Sequence, residues 1–208
     1  SGVLVGYVGI NPIIATLGVG TIVLGIVQAA VGGVIVYGAN PATADVVRGR
    51  IYGIPVLVLI FAAVAALGHL VLSRSVWGRW TMATGGNPVA AEASAVPVRA
   101  VRAGAFVLTG LCGGLSGALL GLTLQSARPL VGVGYEFSAI TAVVVGGISI
   151  SGGSGSVPRA IIGLLFVQVL TNVMVLNGVR TPDQGFVLGV LIAAAVALDV
   201  ALRRRGIA

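Results

Sequence analysis

Long apolar stretches, separated by short polar ones, make up most of the chain. A membrane-spanning helix needs about 20 apolar residues, and several stretches reach or approach that length. We predict full spans over five segments: Pro12–Val36, Ile54–Leu72, Ala103–Leu124, Pro158–Leu176 and Gly185–Leu202. The pattern therefore predicts an all-α fold, a polytopic transmembrane helical bundle in which residues 1–208 form a single domain.

A further apolar segment, Ser138–Ile150, is too short for an ordinary span, and Gly146-Gly147 interrupts it. Short or glycine-broken segments at membrane depth are tolerated only where protein or a water-filled cavity covers them. We therefore predict one short, glycine-broken helix beside the five full spans.

Composition agrees with a membrane protein, because 57% of the residues are hydrophobic and only 8% are charged. A soluble domain carries about a quarter charged residues. The chain has no lysine, so it has no nucleotide-binding P-loop of the GxxxxGK[ST] type. One histidine and one cysteine are too few for an ordinary metal site or an internal disulfide. We expect no catalytic residues, no metal and no nucleic-acid partner, and the opening residues SGVLVGYVGI resemble the tail of an earlier helix.

Arginine placement predicts the orientation. Loop 73–102 carries four arginines, and Arg203–Arg205 close the chain. The positive-inside rule places both groups in the cytoplasm. An even number of crossings must then separate them, so the short helix is predicted to cross. Arg48 and Arg50 would lie outside, against the rule.

The stretch ATGGNPVAAEASAVPVRAVR, residues 83–102, is polar where its surroundings are not. Asn87 suits an N-cap, Pro88 a first helical position, and Pro97 is predicted to end the helix. Gly85-Gly86 are predicted to supply a sharp change of direction. A helix over about 87–95 is too short to be stable alone in water. It must therefore dock on something, either in the lipid headgroup layer or in a groove of another protein. The groove is favoured because the helix is rich in alanine and Glu92 is its only charge.

Small and polar residues inside the spans suggest further roles. Gly113, Gly117 and Gly121 repeat at four-residue spacing and form a small-residue face, for helix packing within the chain or against another subunit. Thr16, Gln168 and Asn172 are intramembrane polar groups, ordinarily helix–helix hydrogen-bond partners and alternatively part of a translocation path. Glu136 begins the short helix, where a carboxylate is favourable. We expect a capping role or a role in an outer gate.

The polar loop is similar to the cytoplasmic loop of bacterial ABC-importer permeases of the ribose/xylose/galactose class, within the branched-chain amino acid and sugar permease superfamily. Further motifs resemble this family in the same order: Ile14–Gly18 (IATLG), Gly134-Tyr135-Glu136 with Ala139-Ile140, Gly146-Gly147, Ser151-Gly152-Gly153, Gly155-Ser156 and Ile162-Gly163. The resemblance covers about the C-terminal two-thirds of such a permease. Ala95 departs from it, since the family usually has glycine there, as does Arg159, where a small residue is usual.

In this family the loop forms a coupling helix that sits in a groove of a separate ATPase subunit. The resemblance thus implies a coupling role for eight residues: Gly85, Gly86, Asn87, Pro88, Ala90, Ala91, Glu92 and Ser94. It implies no cofactor in this chain, with ATP and magnesium in the ATPase. It also implies four partners: a second permease copy, a solute-binding protein, a sugar substrate and membrane lipid. The expected location is the bacterial plasma membrane, with loop 73–102 and the C-terminus in the cytoplasm.

The expected function is therefore inward transport of a monosaccharide by alternating access, as a transporter subunit without enzymatic activity of its own. A branched-chain amino acid permease of the same superfamily is the first alternative. An ion-coupled secondary transporter would need an acid or base along its path, and no such residue lies deep in a predicted span. A passive channel would have no use for a docking helix. The residues do not identify the sugar.

Overall fold

The computed structural model describes residues 1–37, 41–127, 129–149 and 152–204. Ile150, Ser151 and Arg205, which entered the predictions above, lie outside these ranges. The described residues form a π-helical turn, Leu4–Val8, and nine α-helices. The helices are α1 (Pro12–Val31), α2 (Pro41–Arg48), α3 (Val56–Arg74), α4 (Val76–Gly86), α5 (Pro88–Ala93), α6 (Val98–Leu124), α7 (Tyr135–Val145), α8 (Val157–Leu176) and α9 (Thr181–Arg204).

Four two-residue strands complete the described elements and form two antiparallel ribbons that the all-α prediction omitted. In the first, β1 (Val36–Tyr37) pairs with β4 (Ser126–Ala127). In the second, β2 (Arg50–Ile51) pairs with β3 (Ile54–Pro55) across a tight turn. The ribbons connect helices and do not change the fold class.

The predicted helical membrane bundle is confirmed as a fold class. Helices α1, α3, α6 and α8 are long and apolar enough to cross a membrane. Helix α9 has 24 residues, and Pro182–Ala197 form an apolar part of it. The exact number of crossings stays a prediction.

The ends of two spans differ from the prediction. Helix α1 ends at Val31, not at Val36, because Gly32 adopts a left-handed conformation (φ 64°) and its N–H donates to the Gln28 carbonyl. The apolar residues beyond it form β1 instead. Helix α6 begins at Val98, immediately after Pro97, so it includes the arginines that precede the apolar stretch.

The predicted short helix is α7, and it ends at the predicted glycine pair. The Ile148 N–H donates to the Val143 carbonyl (3.1 Å) and the Gly147 N–H to the Val144 carbonyl (2.9 Å). These two bonds form a Schellman motif, which needs a left-handed residue after the helix. Gly147 supplies it with φ 74°.

The chain divides into two compact units. The first unit comprises Ser1–Gly68 and Val89–Gly132, and the second comprises His69–Pro88 and Val133–Ala208. Long helix α6 organises the first. The π-helical turn packs near its N-terminal end, where a Cβ on Gly6 would lie 2.8 Å from the Arg99 carbonyl oxygen.

The C-terminal end of α6 is covered by α2, which buries Ala44 and Val47. The Arg48 guanidinium donates from Nε (3.0 Å) and also from Nη2 to the carbonyl oxygen of Thr123. A cation at this place satisfies an orphan carbonyl and interacts favourably with the helix dipole. Arg48 therefore caps the end of α6 opposite to Arg99 and Arg102.

In the second unit, α7 packs against α8 and α9. The α7–α8 contact is between backbones: a Cβ on Gly146 would lie 2.3 Å from the Arg159 carbonyl oxygen, and one on Gly163 would lie 1.9 Å from that of Ala142. Thr141 is fully buried in this unit, and its hydroxyl donates to the Phe137 carbonyl (2.7 Å). The two helices therefore form a closely packed hairpin.

Candidate functional site

The polar loop begins with a helix that hydropathy did not predict. Helix α4 starts after Ser75, whose hydroxyl oxygen accepts the Gly78 N–H (2.9 Å) as an N-cap. It continues through Gly86, so Gly85 and Gly86 are helical and do not form the predicted turn. The chain changes direction one residue later, at Asn87, whose backbone is extended (φ −152°, ψ 101°) and whose N–H donates to the Ala83 carbonyl.

Helix α5 begins at Pro88, as predicted, but it ends at Ala93, before Pro97 is reached. The Val96 N–H donates to the Ala91 carbonyl and the Ala95 N–H to the Glu92 carbonyl, both at 3.0 Å. This is a second Schellman motif, and Ala95 occupies its left-handed position with φ 61°. An alanine therefore holds a conformation that ordinarily selects glycine.

Helix α5 has one buried residue, Ala91, and one half-buried residue, Pro88, and its other residues are exposed. Ala91 is 5% exposed, so the chain itself covers this side chain and it anchors the helix rather than offering a surface to a partner. Ala90, Glu92 and Ser94 are exposed, and the Ser94 hydroxyl donates to the Ala90 carbonyl (3.0 Å).

Sequence reasoning missed Val89, which is 77% exposed on α5. The available signal was its size, because Val89 is the one large aliphatic residue within 87–95. An exposed apolar side chain on a short helix is the usual anchor for a groove on another protein. We call the exposed side chains of Val89, Ala90, Glu92 and Ser94 the docking face.

The intramembrane polar residues occupy different units. Thr16, in the first unit, donates its hydroxyl to the carbonyls of Pro12 (2.8 Å) and Ile13 (3.0 Å) within its own helix. Gln168 and Asn172, in the second unit, are both exposed and lie four residues apart on α8, so they share one helix face. Their roles in a translocation path stay predictions.

Glu136 lies in the first turn of α7 and is exposed. Its Oε2 accepts the N–H of Gly134, the residue that precedes the helix, at 3.0 Å. The expected capping contact is therefore present. A role in an outer gate stays a prediction.

The glycine face of α6 has no neighbour among the described residues of its own unit. In that unit, no atom outside α6 lies within 4 Å of a Cβ built on Gly113, Gly117 or Gly121. Packing within the chain therefore has no partner on this face inside the first unit. A contact with another subunit stays a prediction.

The fold defines a class: a helical membrane protein in which the loop between the long apolar helices α3 and α6 contains α4 and the short, largely exposed helix α5. The chain belongs to the family described as "branched-chain amino acid transport system / permease component", whose model matches residues 1–196.

Several curated relatives match nearly the whole chain. It is 35% identical to the D-allose transport system permease protein of Escherichia coli K12, over 96% of this chain and 61% of that protein. It is 36% identical to the ribose import permease protein of Bacillus subtilis, over 96% of this chain and 62% of the relative. A probable ABC transporter permease protein of Escherichia coli K12 is 37% identical, over 77% of this chain and 48% of that protein.

The chain thus spans a little over 60% of the length of the allose and ribose permeases that it matches. No solved structure matches it.

Proposed function

We propose that the chain is part of the permease subunit of an ATP-binding cassette importer that moves a monosaccharide into a bacterial cell. The observation that carries the proposal is the docking helix α5 in a member of this permease family. The chain has no P-loop of its own, so the energy for transport comes from ATPase subunits that bind ATP and magnesium and receive the docking face.

The proposed orientation places the loop and the C-terminus in the cytoplasm. The structure offers two supports. Arg48 donates to the Thr123 carbonyl at the end of α6 opposite to Arg99 and Arg102. This capping role accounts for an arginine on the outer side, where the positive-inside rule does not expect one. The loop after α7 lies against Gly85 at the end of α4, within one unit. With α4 in the cytoplasm, this loop is cytoplasmic as well, and α7 must then cross the membrane to reach it.

A monosaccharide is favoured over a branched-chain amino acid as substrate. The names of two of the relatives specify allose and ribose transport or import, at 35% and 36% identity. The sugar motifs IATLG and GYE…GG also occur in order in this chain. We propose further that a solute-binding protein delivers the sugar and that two permease copies form the membrane channel, as in importers of this kind.

Reconstitution tests the proposal. The intact permease that contains this chain is placed in liposomes with its ATPase and solute-binding protein, and uptake of labelled ribose, allose and leucine is measured with and without ATP inside. We expect uptake of a sugar that requires ATP and the ATPase. Uptake of leucine alone, or sugar uptake driven by an ion gradient without ATPase, would contradict the proposal.

A further inference from the structure

Two glycine pairs that are remote in the sequence meet in the second unit. Gly85-Gly86, the last turn of α4, lie against Gly152-Gly153 in the loop between α7 and α8. A Cβ built on Gly85 would lie 2.5 Å from the Gly153 nitrogen, and one on Gly153 would lie 2.5 Å from the Gly86 Cα. Real Cβ atoms do not approach other heavy atoms this closely. We call this arrangement the glycine contact.

The conformation of Gly85 does not explain why this residue is glycine. Gly85 is helical, and alanine is favoured over glycine inside a helix. What requires glycine here is the approach of the second backbone, because any side chain would push the two segments apart. The glycine contact is therefore a direct backbone-to-backbone contact with no side chain between its two halves.

The glycine contact is partly buried, since Gly85, Gly152 and Gly153 are half-buried and Gly86 is exposed. Thr84 and Ser149, one in each segment, are 7% and 8% exposed. Neither hydroxyl oxygen has a hydrogen-bond partner among the described residues. A buried hydroxyl without a partner is costly, and such groups in native proteins call for an explanation. Burial of these two hydroxyl groups is consistent with close packing of the two segments.

Each half of the glycine contact continues into an element with a proposed role. Gly86 leads through Asn87 directly into Pro88, the first residue of the docking helix. Gly153 leads into α8, which forms the closely packed hairpin with α7 through Gly146 and Gly163. Displacement of the end of α4 therefore acts on the hairpin without a deformable side chain in between.

We propose that the glycine contact is the place where movement of the docking helix is passed to the α7–α8 hairpin. The proposal rests on the proposed function, because it presupposes an ATPase that moves α5. It assigns a positioning role to Gly152-Gly153, a motif to which no role has been given above. In this account Gly85 and Gly153 touch neither the sugar nor the ATPase.

A single methyl group tests the proposal. In the reconstituted intact permease, Gly85→Ala inserts a Cβ into the glycine contact, whereas Gly25→Ala, in α1, is the matched control. Both residues are helical, but no described atom outside α1 lies within 4 Å of a Cβ on Gly25. We expect Gly85→Ala to bind the ATPase and hydrolyse ATP while the sugar transported per ATP falls roughly tenfold, the scale of typical coupling between two sites. Gly25→Ala should stay within about twofold of the unmodified protein.

The opposite substitution, Gly153→Ala, adds a check from the other side. Gly153 has φ 78°, so alanine there is strained even apart from the glycine contact. Two methyl groups in one contact should not act independently, so the double variant with Gly85→Ala should be little worse than Gly153→Ala alone. If Gly85→Ala transports as well as Gly25→Ala in protein that takes up sugar normally, the inference is wrong. If the unmodified permease takes up no sugar with ATP, the proposed function fails instead.

A measurement on the unmodified complex keeps the inference testable should Gly85→Ala fail to assemble. Hydrogen exchange is followed with and without ATP bound to the ATPase. We expect the exchange rates of segment 152–155 to change together with those of segment 84–93. A change confined to 84–93 would show that the movement does not reach the hairpin.

Discussion

Glycines in two regions of this protein have opposite surroundings. On α6, Gly113, Gly117 and Gly121 follow a regular spacing, yet the described chain leaves open space around each. In the second unit, Gly146 and Gly163 follow no periodicity and lie so close to the α7–α8 backbones that a Cβ would clash. Periodic spacing thus indicates a face that is able to pack, whereas the close backbone contacts occur between the C-terminal part of α7 and the first two turns of α8.

The largest effect should come from the packed hairpin. Gly163→Ala places a Cβ 1.9 Å from the Ala142 carbonyl oxygen. Overpacking of this kind costs about 1–3 kcal/mol, and we expect the upper part of that range because the obstacle is backbone. The melting temperature of the intact permease in detergent should fall clearly. An unchanged melting temperature would contradict the close packing of α7 on α8.

The α6 face gives the contrasting prediction. Gly117→Ala meets no atom of the described chain within 4 Å, so only helix propensity should change. That change favours alanine by up to about 1 kcal/mol. We expect equal or slightly higher thermal stability in the same assay. A loss of stability would instead mean that another helix or a second permease copy packs on this face.

A smaller effect is expected at Ala95, in the turn that ends α5. Its left-handed conformation costs about 1–2 kcal/mol, and glycine would remove that strain. Glycine is also freer in the unfolded chain, which offsets about 0.4–1 kcal/mol of the gain. Ala95→Gly should therefore stabilise the protein by up to about 1 kcal/mol, with unchanged coupling because the Schellman motif stays. Lower stability, or a loss of sugar transport, would contradict this account.

Hydropathy and capping signals predicted much of the fold. The apolar stretches located α1, α3, α6, α7, α8 and α9, and the Asn87-Pro88 pair located the start of α5. These features depend on residues that are close in the sequence. Helix α4 was not predicted, because its sequence, VWGRWTMATGG, is neither strongly apolar nor periodic.

Features that depend on remote residues were beyond sequence reasoning. Gly85 was predicted to lie in a turn because a glycine pair often marks one. The residue that actually packs against it, Gly153, lies far along the chain, so the local sequence does not reveal the contact. Ala91 was assigned to the partner contact because burial by the chain itself cannot be recognised in PVAAEA. Ala95 did not suggest a left-handed turn because alanine rarely occupies one.

The central claim, that α5 connects this permease to a separate ATPase, is tested most directly at Val89. This side chain is 77% exposed, so Val89→Glu should leave the fold intact while placing a charge in the apolar contact. Tyr52→Glu is the control, since it changes another large residue that is even more exposed, at 101%, in the turn of the β2–β3 ribbon. Co-purification of the ATPase with the intact permease is measured for both variants, together with permease-stimulated ATP hydrolysis. We predict that Val89→Glu loses both and Tyr52→Glu retains both. ATPase binding and stimulation by Val89→Glu equal to those of the unmodified permease would contradict the claim.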